Sequence, residues 1–156
     1  SDKKVSRNDI DLILEAGRLA PTAVNYQPQR ILVLDEEKDV EKLNECMKYH
    51  FNQTLAFIIC YDKNISWKRK YDDKDMGEVD ASIVATHMML QAARINIGST
   101  WIGHFKENLV RDKFNVPSNY EIVAILVMGH IHEDCKPHEL HNNRLDLSET
   151  CFKGTF

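Results

Sequence analysis

Residues 76–97 read Met-Gly-Glu-Val-Asp-Ala-Ser-Ile-Val-Ala-Thr-His-Met-Met-Leu-Gln-Ala-Ala-Arg-Ile-Asn-Ile. Val79, Ala81, Ile83, Val84, Ala85, Met88, Met89, Leu90, Ala92, Ala93, Ile95 and Ile97 spread around a helix and leave a narrow polar stripe of Asp80, His87, Gln91 and Arg94. A helix so apolar must be covered on most sides, and a chain of 156 residues has little other structure to cover it with. The economical cover is a second copy of the chain, so this helix is expected to form a homodimer interface. Gly98 stands where a left-handed residue would end it.

Outward from that helix, two continuous apolar runs rich in β-formers, Leu55–Tyr61 and Ile122–Met128, predict buried strands. Arg30–Leu34 predicts a shorter strand. Ser6 followed by Asp9 resembles a capping box, and Ile10, Ile13, Leu14 and Gly17 then fall at helical spacing. That helix should stop near Ala20, because Pro21 disfavours helical backbone in the residue before it. Glu37–Tyr49, with Val40, Leu43 and Met47 on one face, and Glu107–Phe114 predict two more helices. Pro21–Gln29 and the charged stretch Lys63–Asp75 read as loops, and 129–156 as a mostly irregular tail. The order implies an α+β domain, one mixed and mostly antiparallel sheet flanked by helices.

The charge balance, 20 Lys+Arg against 24 Asp+Glu, is mildly acidic with no long basic block, which argues against nucleic acid as the main partner. No run approaches a membrane span. Cys46, Cys60, Cys135 and Cys151 lack any C-x-x-C pair and read as reduced thiols of a cytoplasmic protein. Neither a G-x-G-x-x-G after a strand nor a G-x-x-x-x-G-K occurs, so common dinucleotide and nucleotide cradles are not supported. His130, His132, Cys135, His138 and His141 offer nitrogen and sulfur ligands but without paired knuckle spacing, and a polar loop is the better reading.

Three segments in register resemble the FMN-dependent nitroreductase family. Ala16-Gly-Arg-Leu-Ala-Pro-Thr-Ala-Val-Asn-Tyr-Gln-Pro28 is similar to the family's A-R-x-A-P-S-x-x-N-x-Q-P-W, with Thr22 for Ser and Gln29 where Trp is common. Asp80 through Leu90 to Gly98-Ser-Thr-Trp-Ile-Gly103 resembles its long interface helix and the turn after it. Gly129 through Arg144 to Phe152 resembles its closing pattern, a strand, a Gly, and an Arg ahead of a Glu-containing tail.

The resemblance implies FMN at a dimer interface, NAD(P)H as co-substrate and a nitroaromatic, quinone or similar acceptor reduced by a ping-pong mechanism. It implies that Pro21, Thr22, Ala23, Asn25 and Gln27 lie against the isoalloxazine ring, from the partner subunit or their own. Thr100, Trp101, Ile102 and Gly103 would pass the ring's N5/O4 edge, and Arg144 would grip the phosphate. No side chain is expected to act as acid, base or nucleophile, because the flavin carries the chemistry. The family's Arg-Arg-Ser-x-Arg segment before the first helix has no counterpart from Ser1 onward. The expectation is either a longer gene product or weakened FMN binding. The competing reading is a non-catalytic flavin- or metal-binding module, the metal version using the His130–His141 loop.

Overall fold

The computed structural model describes residues 1–156. Helix α1 (Arg7–Leu19) begins as its sequence predicts, the Ser6 hydroxyl accepting the Asp9 backbone N–H at 3.1 Å. Ile10, Ile13 and Gly17 form its buried face. Then come β1 (Gln29–Leu34), α2 (Glu37–Asn44) and β2 (Leu55–Asp62). A small hairpin, β3 (Lys68–Arg69) and β4 (Lys74–Asp75), lies within the expected loop 63–75. Helix α3 (Gly77–Arg94), β5 (Ile97–Ile102), α4 (Glu107–Phe114) and β6 (Tyr120–His130) complete the body. The tail holds one short 3-10 turn (Glu139–Asn142) and a single helical turn, α5 (Leu147–Thr150).

The main sheet has the order β1-β2-β6-β5, and every pairing in it is antiparallel. Its two central strands are the two apolar runs. Strand alternation splits their side chains between two cores. Leu55, Phe57, Ile59, Leu126 and Met128 face α1 and α3. Ala56, Ile58, Cys60, Ile125 and Val127 join Val40, Leu43 and Val110 of α2 and α4. Each fully buried Leu, Ile or Phe stabilises the fold by about 1.5–3 kcal/mol relative to exposure, so these two strands anchor the domain. Gly17 lets α1 lie close to α3: a Cβ there would stand 2.9 Å from Met88 Cγ.

Helix α2 stops at Asn44, five residues short of its expected end. Beyond it the backbone is spent on other partners: Met47 bridges Phe105, and the Lys106 N–H donates to the Cys46 carbonyl at 2.9 Å. Helix α3 likewise ends at Arg94 instead of Ile97, and the left-handed residue after it is Asn96 (φ 60°), not Gly98. Asn accepts that conformation more readily than other side-chain-bearing residues. Gly98 instead pairs with Gly129 inside β5. Residues 97–102, expected as a turn at their C-terminal half, are therefore an edge strand.

The polar stripe of α3 is also not what its spacing suggests. Asp80 is only 2% exposed, while Val79 and Leu90 stand 42% and 65% exposed on the face opposite the core residues Ala81, Val84, Ala85 and Met88. One face of α3 is thus packed, and the opposite face leaves Val79 and Leu90 bare beside exposed Thr86 and Arg94. No helix is long and apolar enough to cross a membrane.

Candidate functional site

Between α1 and β1 the chain makes an unusual loop. Val24, Asn25 and Gln27 all have positive φ, at 53°, 57° and 52°. A β-branched residue in this region is costly, so Val24 must be held there by its surroundings. Thr22 supplies part of the hold. Its carbonyl accepts the Asn25 N–H at 3.0 Å and its Oγ1 accepts the Gln27 N–H at 3.1 Å. A further hold comes from 57 residues away, where Asp80 Oδ1 accepts the Ala23 N–H at 2.8 Å. Burial raises the Asp80 carboxyl above its ordinary pKa, and the Ala23 hydrogen bond partly offsets the rise.

Two buried side-chain acceptors have no hydrogen-bond partner in the chain, Asp80 Oδ2 and Gln29 Oε1. Asp80 holds the loop at Ala23, and Gln29 follows it as the first residue of β1. Unpaired buried acceptors are rare because each forfeits its hydration. Pro21, Asn25 and Gln27 are exposed, and Thr22 and Ala23 half-buried.

The second segment, Thr100–Gly103, lies on and just beyond edge strand β5. An edge strand keeps one row of backbone N–H and C=O groups unpaired within its sheet. Nothing lies within 4 Å of where a Cβ on Gly103 would stand, so the backbone there can be approached closely. Ile102 is buried with Ala56 and Ile58, leaving only its backbone to offer, whereas Trp101 is 37% exposed. The loop leads into β1 and this segment ends β5, at opposite edges of the four-stranded sheet. Three strand spacings separate those edges, about 14 Å.

Arg144 is exposed and donates only to carbonyls of its own tail, Asn143 at 2.7 Å and Leu140 at 3.4 Å. It meets neither segment through a hydrogen bond. The five His/Cys residues of 130–141 form no group of three that could hold a metal ion. His132 and His138 instead accept backbone N–H groups of Asp134 and Leu140. Spacing along α3 assigns Asp80 only to the polar stripe, and its bond to the Ala23 N–H is a tertiary contact that spacing does not report.

The model of the Nitroreductase family matches residues 1–56 and 46–130. A solved nitroreductase family protein from Clostridium difficile superposes with a TM-score of 0.92 at 35% identity, covering 100% of this chain and 91% of that one. An FMN-dependent nitroreductase of the same species gives a TM-score of 0.80 at 26% identity, covering 100% and 92%. An Archaeoglobus fulgidus protein, provisionally named NADH dehydrogenase/NAD(P)H nitroreductase, is 29% identical over 137 residues, 83% of this chain and 76% of its own. The chain belongs to the Nitroreductase family and has its fold.

The residues present fit FMN. Its ring N–H and ribityl hydroxyls are donors of the kind that the two unpartnered acceptors beside the loop lack. Its planar ring suits the open backbone at Gly103.

Proposed function

We propose that the protein is an FMN-dependent oxidoreductase that takes NAD(P)H as co-substrate and works as a homodimer. The observation that carries this reading is the strained Thr22–Gln27 loop flanked by buried acceptors without partners, in a chain with this fold. When bound, FMN would supply the redox chemistry, a hydride carried by a ping-pong route from NAD(P)H to a nitroaromatic, quinone or similar acceptor.

The protein's part is to bind and orient. Pro21, Thr22, Ala23, Asn25 and Gln27 present a fixed surface to one side of the ring. Backbone N–H groups in Thr100–Gly103 would donate toward the ring. Arg144 supplies a forked, permanently charged donor to the phosphate.

The sheet order supports a site shared between subunits. The two ring-facing segments sit at opposite edges of one sheet, so a single ring reaches both most simply if each comes from a different protomer. The bare face of α3 and the tail support the same assembly. Leu140, Leu145, Leu147, Phe152 and Phe156 are all more than half exposed, and no residue of 131–156 is buried. A second copy is the cover that these apolar surfaces suit. We infer that the dimer works in a reducing cytoplasm, which suits four free thiols.

Titration of the protein with FMN, followed by flavin fluorescence, tests the reading. Saturable quenching with an equimolar endpoint per protomer is expected. A signal that stays linear in added FMN would set it aside.

A further inference from the structure

A carboxylate is an expensive residue to bury in the packed side of α3. Asp80 is 2% exposed, sits among Ala81, Val84 and Ala85, and has one oxygen with no partner. Alanine or valine would suit the helix and the core better, so packing alone gives no reason for an acid at this position. What Asp80 does hold is the Ala23 N–H, across the gap between the interface helix and the strained loop. Thr22 holds the other end of the same loop, so the left-handed run of Val24, Asn25 and Gln27 is fixed from both ends.

We propose that Asp80 is a positioning residue for the flavin site, a clamp on Ala23 that holds the Thr22–Gln27 loop in its ring-facing shape before the cofactor arrives. This rests on the reading that the loop faces FMN. Without the clamp the loop samples ordinary negative-φ conformations, and FMN binding must then order it. The dimer adds a consequence. Asp80 lies on the helix that carries the bare face, so the interface helix and the flavin loop are coupled through one hydrogen bond.

The test measures amide hydrogen exchange at Ala23 in the FMN-free protein and, separately, the FMN dissociation constant. Asp80→Ala is expected to speed Ala23 exchange and to raise the FMN dissociation constant by about one to two powers of ten, the worth of one charge-assisted hydrogen bond. Asp80→Asn keeps an acceptor oxygen and is expected to restore FMN affinity to within about threefold. Val84→Ala weakens the same core without touching the loop and should leave FMN affinity unchanged.

Should Asp80→Ala fail to fold, Ala23→Pro removes the donor and leaves Asp80 in place. Thr22 has the extended backbone (φ −131°, ψ 159°) that a residue before proline needs, and the same loss of affinity is expected. Unchanged Ala23 exchange in Asp80→Ala would overturn the clamp while leaving the loop's role toward FMN standing. Faster exchange with unchanged FMN affinity would overturn both. Failure of Asp80→Asn to rescue, or an Ala23→Pro protein that binds FMN as tightly as the parent, would overturn the hydrogen bond as the cause.

Discussion

Gly77 opens α3 hard against Tyr61: a Cβ at residue 77 would stand 2.1 Å from Tyr61 Cδ2 and 2.3 Å from Cε2. The Gly77 N–H donates to Asp75 Oδ1 at 2.8 Å, so the backbone has little room to slide away. Gly77→Ala should therefore destabilise the protein by about 1–3 kcal/mol through overpacking, despite the gain in helix propensity. Urea unfolding checks this. An unchanged midpoint would mean that the ring moves freely aside.

The bare face of α3 leads to a second expectation. Leu90→Glu puts a carboxylate on the exposed face of α3 that a second copy is proposed to cover. A buried charge without a partner costs about 3–5 kcal/mol, and exposed Arg94 one turn on offsets part of that, so the dimer should weaken by about tenfold or more. Light scattering at micromolar concentration should show twice the 18.1 kDa chain mass for the parent and a shift toward one chain for the variant. A parent that scatters as a single chain would remove the dimer.

Asp62 ends β2 and accepts from the Asn119 side-chain amide at 2.9 Å and from the Asn64 N–H at 3.0 Å. The Asn119 hydrogen bond, then the Asn64 one, hold its carboxyl below the ordinary aspartate value of 3.8. A depressed folded-state pKa contributes stability above that ordinary value, and the contribution is lost as pH falls through the folded one. Asn119→Ala should raise the Asp62 pKa and flatten the acid limb of the stability curve. Carboxyl NMR titration checks it directly.

Much of this architecture can be read from residue pattern, and the exceptions have physical causes. Leu55–Tyr61 and Ile122–Met128 declare themselves because strands covered on both faces need no polar alternation. Strand β5 does not declare itself, since Ile97-Gly-Ser-Thr-Trp-Ile102 has a polar middle suited to a sheet edge. Helix α2 runs short because Cys46 and Met47 find partners at Lys106 and Phe105, contacts that no local spacing reports. For the site, Pro21–Gln27 was legible as a motif, but its left-handed backbone was not. Asp80 holds one end of that loop at Ala23, and spacing alone assigns it to the narrow polar stripe of α3.

Arg144→Ala should lower FMN affinity by about one to two powers of ten, because a charge-assisted contact contributes roughly 1.5–3 kcal/mol. Folding should hardly change, since the side chain is exposed and bonds only to tail carbonyls. Isothermal titration with FMN measures it. An unaltered dissociation constant would take the phosphate role away from Arg144.

The most direct measurement of the central claim is the visible spectrum of the protein with FMN added to saturation under anaerobic conditions, before and after adding NADH or NADPH in separate samples. At least one nicotinamide should bleach the flavin band of the protein sample much faster than that of free FMN. A quinone or nitroaromatic added afterwards should restore the band. A bound flavin that neither nicotinamide bleaches faster than free FMN would contradict the assignment as an NAD(P)H oxidoreductase.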